Sequence, residues 1–514
     1  MNSSSDIRFR LDAILWYGGM FVAVFVLSIM LARNWFSAAI LAGAAVWAIT
    51  LPYHARLALA ISVTTYNSAF IVPFTPGPLT VPDASLFLAW SGVPLLIMLR
   101  RTPADTAYML EKNRALFIGI LVYLAALAII IRLRGVGFGF LGASAGGGKV
   151  YFRQIISALV PLLFIVTPVK ERTFLRLVTL FFILSITYLL SDAVLAMVPG
   201  AASILLRVLQ LPTDAAFFEF YTQQFGFRRL QSLFYVCPKL VFALLMYYSV
   251  KDVLGRRAWW LIPTVLGLLA AGLGSGHRAN LIHTGVVLLV LFWIQKAFTP
   301  RNLILTASTV MLGMTLLYTS VEFMPAAVQR AVSFLPGIDI NSDVAADAAG
   351  TWHSRIETAR RGAALIPEYW LLGRGFTRYA DLVPNSREVL DSVAYAVLQG
   401  YFLNGFVGLM VNTGLLGTVG MCIFMFGGAR LAAQVTGQAR RLGFDSTLTR
   451  TSAVLASLYF VDCFFFFLIE GNVDWALSRF GMYVGMLFAC ERLLRQRRLA
   501  EDEEREPLEP EAAG

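Results

Sequence analysis

Charge is scarce in this chain. Asp, Glu, Lys and Arg make up 14% of its 514 residues, against 58% hydrophobic residues and a mean hydropathy of +0.70. A soluble domain carries roughly 25% charged residues, and this much apolar surface exceeds what a water-bathed core can hide, which excludes a soluble globular protein. Cysteine is scarce too. Cys237, Cys422, Cys463 and Cys490 all lie in or beside apolar runs with no C-x-x-C spacing, which argues against a disulfide framework and against a thiolate metal site. With four histidines in all, no compact His, Asp and Glu group shows metal-ligand spacing, so no cofactor is expected.

What is abundant is apolar sequence in runs of about 20 residues, the length that crosses a hydrocarbon core as a helix. They fall near residues 13–32, 36–53, 57–74, 84–99, 115–131, 154–169, 174–198, 232–250, 258–273, 281–298, 303–321, 406–426, 452–470 and 475–491. The expectation is an all-α polytopic membrane protein with about 12–14 transmembrane helices and one large outer loop. Its parts are a membrane domain over 1–321, the loop over 322–394, the last three helices over 395–491 and a basic-then-acidic tail over 492–514. The first run is longer than a signal-peptide core and lacks a following A-x-A site, so it reads as a retained helix. The acidic end from Glu501 reads as disordered.

Lys and Arg resist translocation and mark the cytoplasmic side. They gather in the even-numbered connections: Arg56; Arg100, Arg101, Lys112 and Arg114; Lys170, Arg172 and Arg176; Lys251, Arg256 and Arg257; Lys296 and Arg301; Arg430, Arg440, Arg441 and Arg450; and Arg492 to Arg498. The stretch Arg132 to Arg153 is an exception. Both termini are therefore expected in the cytoplasm, with the loops after the ninth and eleventh spans on the outer face. The net charge of +11 is met by these connections and by anionic lipid, without nucleic acid as a partner.

On that outer face stand two arginines, in Gly274-Ser275-Gly276-His277-Arg278-Ala279-Asn280-Leu281 and in Thr351-Trp352-His353-Ser354-Arg355. Within the long loop, Ala327, Val328, Ala331, Val332 and Leu335 suggest a short apolar face lying on the membrane, and Gly337 to Gly350 an exposed connection. A helix is predicted from about Thr351–Ser354 to just before Pro367, with Ile356, Ala359, Ala363 and Ala364 inward and Arg355, Thr358 and Gly362 on one stripe. Ionisable groups inside spans are costly, and two sets are expected to pair: Asp192 with Lys239, and Asp462, Glu470 and Arg479.

The order of these elements resembles bacterial O-antigen ligases and polysaccharide polymerases, a family of lipid-linked glycan transferases. The likeness lies in Arg278 at the end of a span in a Gly/Ser-rich turn, a large outer loop with Arg355, then Pro367 and Gly373-Arg374-Gly375-Phe376. It ends with Asn404-Gly405-Phe406-Val407-Gly408-Leu409 and Gly414-Leu415-Leu416-Gly417. It covers roughly residues 272–417. One departure stands out: ligases of the family carry a histidine where this chain has Leu403, before Asn404.

The resemblance implies a bacterial inner-membrane glycosyltransferase, working without nucleotide sugar. Its donor would be a glycan on a polyprenyl diphosphate, its acceptor a glycan or lipid-linked glycan, and its partners membrane lipids and a chain-length regulator or export proteins. Arg278 and Arg355 would stabilise the leaving diphosphate, because a guanidinium fork matches phosphate oxygens. His353 and Glu357, with His277 and Asp391 behind them, are the outer-face groups able to act as a base. Arg374, Arg228, Arg229 and Asn404 are expected to bind substrate. A polysaccharide or lipid transporter is the alternative, although two matching halves are not apparent.

Overall fold

Segments this apolar leave backbone amides nowhere to bond in a bilayer except within their own helix, and the chain is helical accordingly. The computed structural model describes residues 18–19, 22, 35–72, 79–137, 145–197, 208–210, 230–255, 260–376, 378–379, 392–469 and 471–505. Among these, eight helices are long and apolar enough to cross a membrane: Gly43–Thr65, Val81–Met98, Arg114–Arg134, Gly148–Val166, Glu171–Val194, Pro300–Phe323, Gly405–Leu442 and Thr447–Leu468. Three shorter apolar helices accompany them. Among the described residues the sheet content is two antiparallel two-residue ladders, Ile71–Val72 with Leu79–Thr80 and Ala145–Gly146 with Arg378–Tyr379. The protein is an all-α polytopic membrane protein.

The helices that position the site are α1 (Trp35–Thr50), α2 (His54–Thr65), α3 (Val81–Met98), α4 (Arg114–Arg134), α5 (Gly148–Ser157), α6 (Ser232–Tyr247), α7 (Leu261–Leu273) and α8 (Arg278–Ile294). They continue with α9 (Pro300–Ser320), α10 (Ala326–Val332), α11 (Ser342–Ala364), α12 (Ser392–Gln399), α13 (Gly405–Leu442), α14 (Thr447–Leu468) and α15 (Ala476–Arg505). The last three form the centre, with Tyr459, Phe480 and Phe488 fully buried among them. Lipid supplies no hydrophobic drive for one helix to meet another, so close backbone approach has to do it. Gly119 of α4 and Gly420 of α13 provide that approach: a Cβ at Gly119 would stand 2.4 Å from the Phe424 nitrogen, and one at Gly420 would stand 2.5 Å from that of Tyr123.

Side chains join the connecting segments into two sets. At one end, Asp105 bonds Arg492 and Arg495, Lys112 pairs with Glu491, Arg440 bonds the carbonyls of Trp293 and Ile294, and Arg450 meets Asp252. At the other, Arg330 reaches Gly276, Arg278 reaches Ala348, Tyr151 accepts from Phe376, and Gln154 bonds Val473. No contact among those named joins one set to the other. The first set is the cation-rich one.

Several expectations need correction. The second and third apolar runs are one helical stretch: α1 passes through a 3-10 turn at Leu51–Tyr53 into α2, and Arg56 lies on a helix and not in a loop. Pro52 sits in the first turn of that 3-10 segment, where a missing N–H leaves no bond unmade. Helix α11 starts at Ser342, nine residues before the expected Thr351, because Asn341 caps it by accepting from the Asp343 nitrogen and the Ala-rich stretch behind it favours helix. Of the apolar face expected to lie on the membrane, Ala327, Ala331 and Val332 are buried in protein, and Val328 and Leu335 are partly so. In α11 the inward stripe is Ala348, Thr358 and Gly362, whereas Trp352 and Ile356 are exposed and Ala363 and Ala364 face outward with them. Small residues win the inside because Gly362 must pass the Phe402 ring, 2.3 Å from where its Cβ would stand. Helix α12 crosses the boundary expected at 394, and α15 continues as helix through Arg505, well into the tail expected to be disordered.

Candidate functional site

The turn between α7 and α8 is made by its own backbone. The Gly274 nitrogen bonds the Ala271 carbonyl (2.9 Å) and the Gly276 nitrogen bonds that of Leu273 (2.9 Å), closing α7. Gly276 then takes φ +71°, a conformation glycine adopts without penalty. The Ser275 hydroxyl donates to Gly272 (2.7 Å) and accepts from the His277 nitrogen (3.3 Å), so the chain reverses and α8 begins at Arg278. A cation in the first residue of a helix faces the positive end of the helix dipole, which is unfavourable unless an anion shares the position.

Three guanidinium groups converge on this turn. Arg278 donates to the Ala348 carbonyl of α11. Arg330 of α10, 4% exposed, donates to Asp347, to the Gly276 carbonyl (2.6 Å) and to the Thr351 hydroxyl (2.7 Å). Arg355 lies two turns beyond Asp347 on α11, half-buried, and makes no hydrogen bond or ion pair among the described residues. The positive charges of Arg330 and Arg355 and the negative charge of Asp347 all act on Arg278. Among the described residues three cations thus share one carboxylate. Arg330 was not anticipated from sequence; the signal available was a lone arginine inside the small-residue run Ala326 to Val332.

The other expected site residues are not brought into this cluster. His353 and Glu357 are two positions either side of Arg355, hence on the other side of α11, with His353 exposed. Glu357 accepts from Arg361 (2.9 Å), and that hydrogen bond holds its carboxyl below the usual range, which makes it a poorer proton acceptor. His277 stays in the turn, its ring 4.9 Å from that of Phe234. Asn404 caps α13 by accepting from the Val407 nitrogen (3.0 Å), so its side-chain oxygen has a structural role. Leu403, before it, takes φ +55°. Arg228, Arg229 and Asp391 lie outside the described residues.

Arg374 belongs to a second feature. Helix α13 is broken at Gly414 (φ +66°, ψ −171°), so the Leu415 nitrogen leaves the helix ladder and bonds Trp370 (2.6 Å). The freed carbonyls of Val411 and Asn412 accept from the nitrogens of Arg374 (2.8 Å) and Gly375 (2.9 Å). The Gly-Arg-Gly loop and the Gly-Leu-Leu-Gly break therefore complete each other. The Arg374 side chain bonds Asn412 Oδ1 (3.3 Å) and the Val397 carbonyl (3.0 Å) and lies 5.2 Å from the Phe402 ring centre.

Beneath the turn, in the helices, Asp462 of α14 meets His283 of α8 at 2.7 Å and is acted on by Arg479 of α15 and Lys239 of α6. The expected Asp462 and Arg479 association is present, and Glu470 lies outside the described residues. Asp192 is not beside Lys239 as its partner; its carboxylate accepts from the Ser232 nitrogen (3.0 Å) at the start of α6, while Lys239 faces Asp462. Among the described residues no group of three His, Cys, Asp or Glu side chains has metal-binding geometry. Neither a scan against protein-family models nor a search of curated proteins finds a match, so the resemblance to glycan ligases and polymerases rests on the motifs alone.

Proposed function

We propose that this chain is a membrane glycosyltransferase that polymerises or transfers polyprenyl-diphosphate-linked oligosaccharide, of O-antigen, exopolysaccharide or capsule type. The observation that carries the reading is the meeting of Arg278, Arg330 and Arg355 with a single carboxylate at the end of the bundle opposite the cation-rich connections. Such a surplus favours a polyvalent anion. A diphosphate leaving group supplies one and gains charge as its anomeric C–O bond breaks. The cation-rich connections at the other end support a site on the non-cytoplasmic side, which under this reading is the periplasmic face of a bacterial inner membrane, where an acceptor glycan, a chain-length regulator and export proteins are reachable.

Purified protein given a polyprenyl-diphosphate oligosaccharide, without nucleotide sugar, should lengthen or transfer it. Arg278→Ala and Arg355→Ala should each lower the rate by about 100-fold or more, the scale of losing one donor to a developing charge. Lysine at either position should restore part of the rate, since it keeps the charge and loses the planar fork. Full activity of either alanine variant, read as product length on a gel, removes that residue from the site. A transporter of polysaccharide or lipid remains the second reading, because the break at Gly414 is the kind of helix discontinuity around which transporters bind substrate. Movement of labelled glycolipid across vesicles without chain extension would favour it.

A further inference from the structure

Helix α8 is buried on one side only. Asn280, Thr284, Val287, Leu291 and Ile294 are buried, whereas Ile282, Leu289 and Trp293 are 42%, 58% and 58% exposed, and a Cβ at Gly285 would meet no atom within 4 Å. At about 100° per residue, Ile282, Gly285, Leu289 and Trp293 share roughly 80° of arc with Arg278, and the buried residues lie opposite. Arg278 therefore heads an exposed apolar stripe ~22 Å long. Helical side chains tilt towards the N-terminus, so its guanidinium is carried up to the cluster and clear of the stripe. Helix α9 follows after the link 295–299 and is held to α8 at both ends. At the foot, Asn302 donates to the Ala297 carbonyl (2.9 Å). At the head, neighbouring residues of α10 join the two, Gln329 donating to the Met324 carbonyl (3.0 Å) just past α9 and Arg330 to the Gly276 carbonyl just before α8. Yet no residue of α9 is buried. Two helices pinned at both ends and unpacked between them leave a cleft open to the bilayer, with the arginine cluster at its head.

We propose that this cleft, floored by the α8 stripe, seats the isoprenoid chain of a lipid-linked diphosphate whose head group is held by Arg278 and Arg355. The inference rests on the reading given under Proposed function and adds where the lipid half of the donor lies. An exposed apolar stripe alone does not select one chain over another, since lipid tails are as apolar as leucine. The join between stripe and cluster does. A diphosphate head matches the surplus of guanidinium charge, and the chain attached to it leaves the head into the bilayer, the direction in which the stripe runs below Arg278. Once the head is bound, the chain is tethered beside the stripe and adds dispersion contacts without a second association. Gly285 leaves room, about halfway down, for that chain to lie against the helix backbone. A second membrane helix could cover the stripe equally well, but would bring no anion to the three cations above it.

The test is binding of two probes, inorganic diphosphate and a long-chain polyprenyl diphosphate, to the purified full chain in nanodiscs of zwitterionic lipid. Wild type should bind the lipid probe more tightly than inorganic diphosphate by about tenfold or more. Gly285→Phe, which fills the stripe, should weaken the lipid probe by about tenfold and leave inorganic diphosphate unchanged. Leu289→Trp should act in the same sense. Gly43→Phe, at an equally open glycine on α1, should change neither. The assignment stands if either stripe variant is selective for the lipid probe, and falls if neither is or if Gly43→Phe has the same effect. Equal affinity of wild type for the two probes also overturns it while leaving the arginine site standing. It falls too if an anionic phospholipid displaces the lipid probe as readily as unlabelled polyprenyl diphosphate does, or if Leu289→Cys cross-links to a second copy of the chain. A wild-type chain that binds neither probe overturns the proposed function itself, and the cleft with it.

Discussion

At the scale of single residues, the three arginines of the cluster divide by what they already hold. Arg330 is buried with Asp347, both side chains 5% exposed, and carries two further bonds to Gly276 and Thr351. Removing it strands a buried carboxylate, so Arg330→Ala should cost about 3–5 kcal/mol and lower the melting temperature in detergent. Among the described residues Arg355 has no hydrogen-bond or ion-pair partner to strand, and its charge opposes that of Arg278. Arg355→Ala should melt at or above the wild-type temperature while losing transfer activity. If instead both variants melt alike and low, Arg355 is a structural residue and the division is wrong. Arg278 and Arg355 were legible in the sequence because each is a cation in a polar stretch, Arg278 at the opening of α8 and Arg355 inside the polar segment that forms α11. Arg330 and the His283–Asp462 pair were not, because each draws its meaning from a residue on another helix, 17 and 179 positions away.

At the scale of elements, periodicity alone could align Arg355, Thr358 and Gly362 but could not say which stripe faces inward. Trp352 and Ile356 are exposed, and Thr358 and Gly362 take the inside because Gly362 packs directly on the Phe402 ring. The docking of the Gly373–Gly375 loop on the break in α13 was equally hidden: both motifs were visible, their contact was not. Gly414 makes the contact testable. A Cβ there would stand 2.4 Å from the Leu371 carbonyl oxygen, and its φ and ψ are accessible to glycine almost alone. Gly414→Ala should destabilise by at least about 1–3 kcal/mol from backbone strain. It should also release the loop that carries Arg374, read as faster proteolysis around residues 371–376. A Gly414→Ala protein with wild-type melting and proteolysis would mean that the break does not depend on glycine.

At the scale of the whole molecule, two independent patterns divide the connections in the same way. Cations cluster in alternate loops, and side-chain contacts join those loops to one another at one end of the bundle, as Asp105 with Arg492 and Asp252 with Arg450. The segments bearing Arg278, Arg330 and Arg355 join at the other. The merging of the second and third runs leaves this division intact from α2 onward, since it changes only what precedes α2. Two cysteines introduced singly, in a background with the four native ones replaced, decide the sidedness. Gly350→Cys, exposed on α11 beside the arginine cluster, should react with an impermeant maleimide added outside intact cells. Asp445→Cys, exposed between α13 and α14 at the cation-rich end, should react only after the cells are opened. The reverse pattern would place the arginines in the cytoplasm, where they could still bind an anion but could not act on a glycan already carried to the outer face. Labelling of both from outside would break the division itself, because the part of α13 beyond its break at Gly414, Leu415 to Leu442, is by itself long enough to hold the two ends on opposite sides of a bilayer.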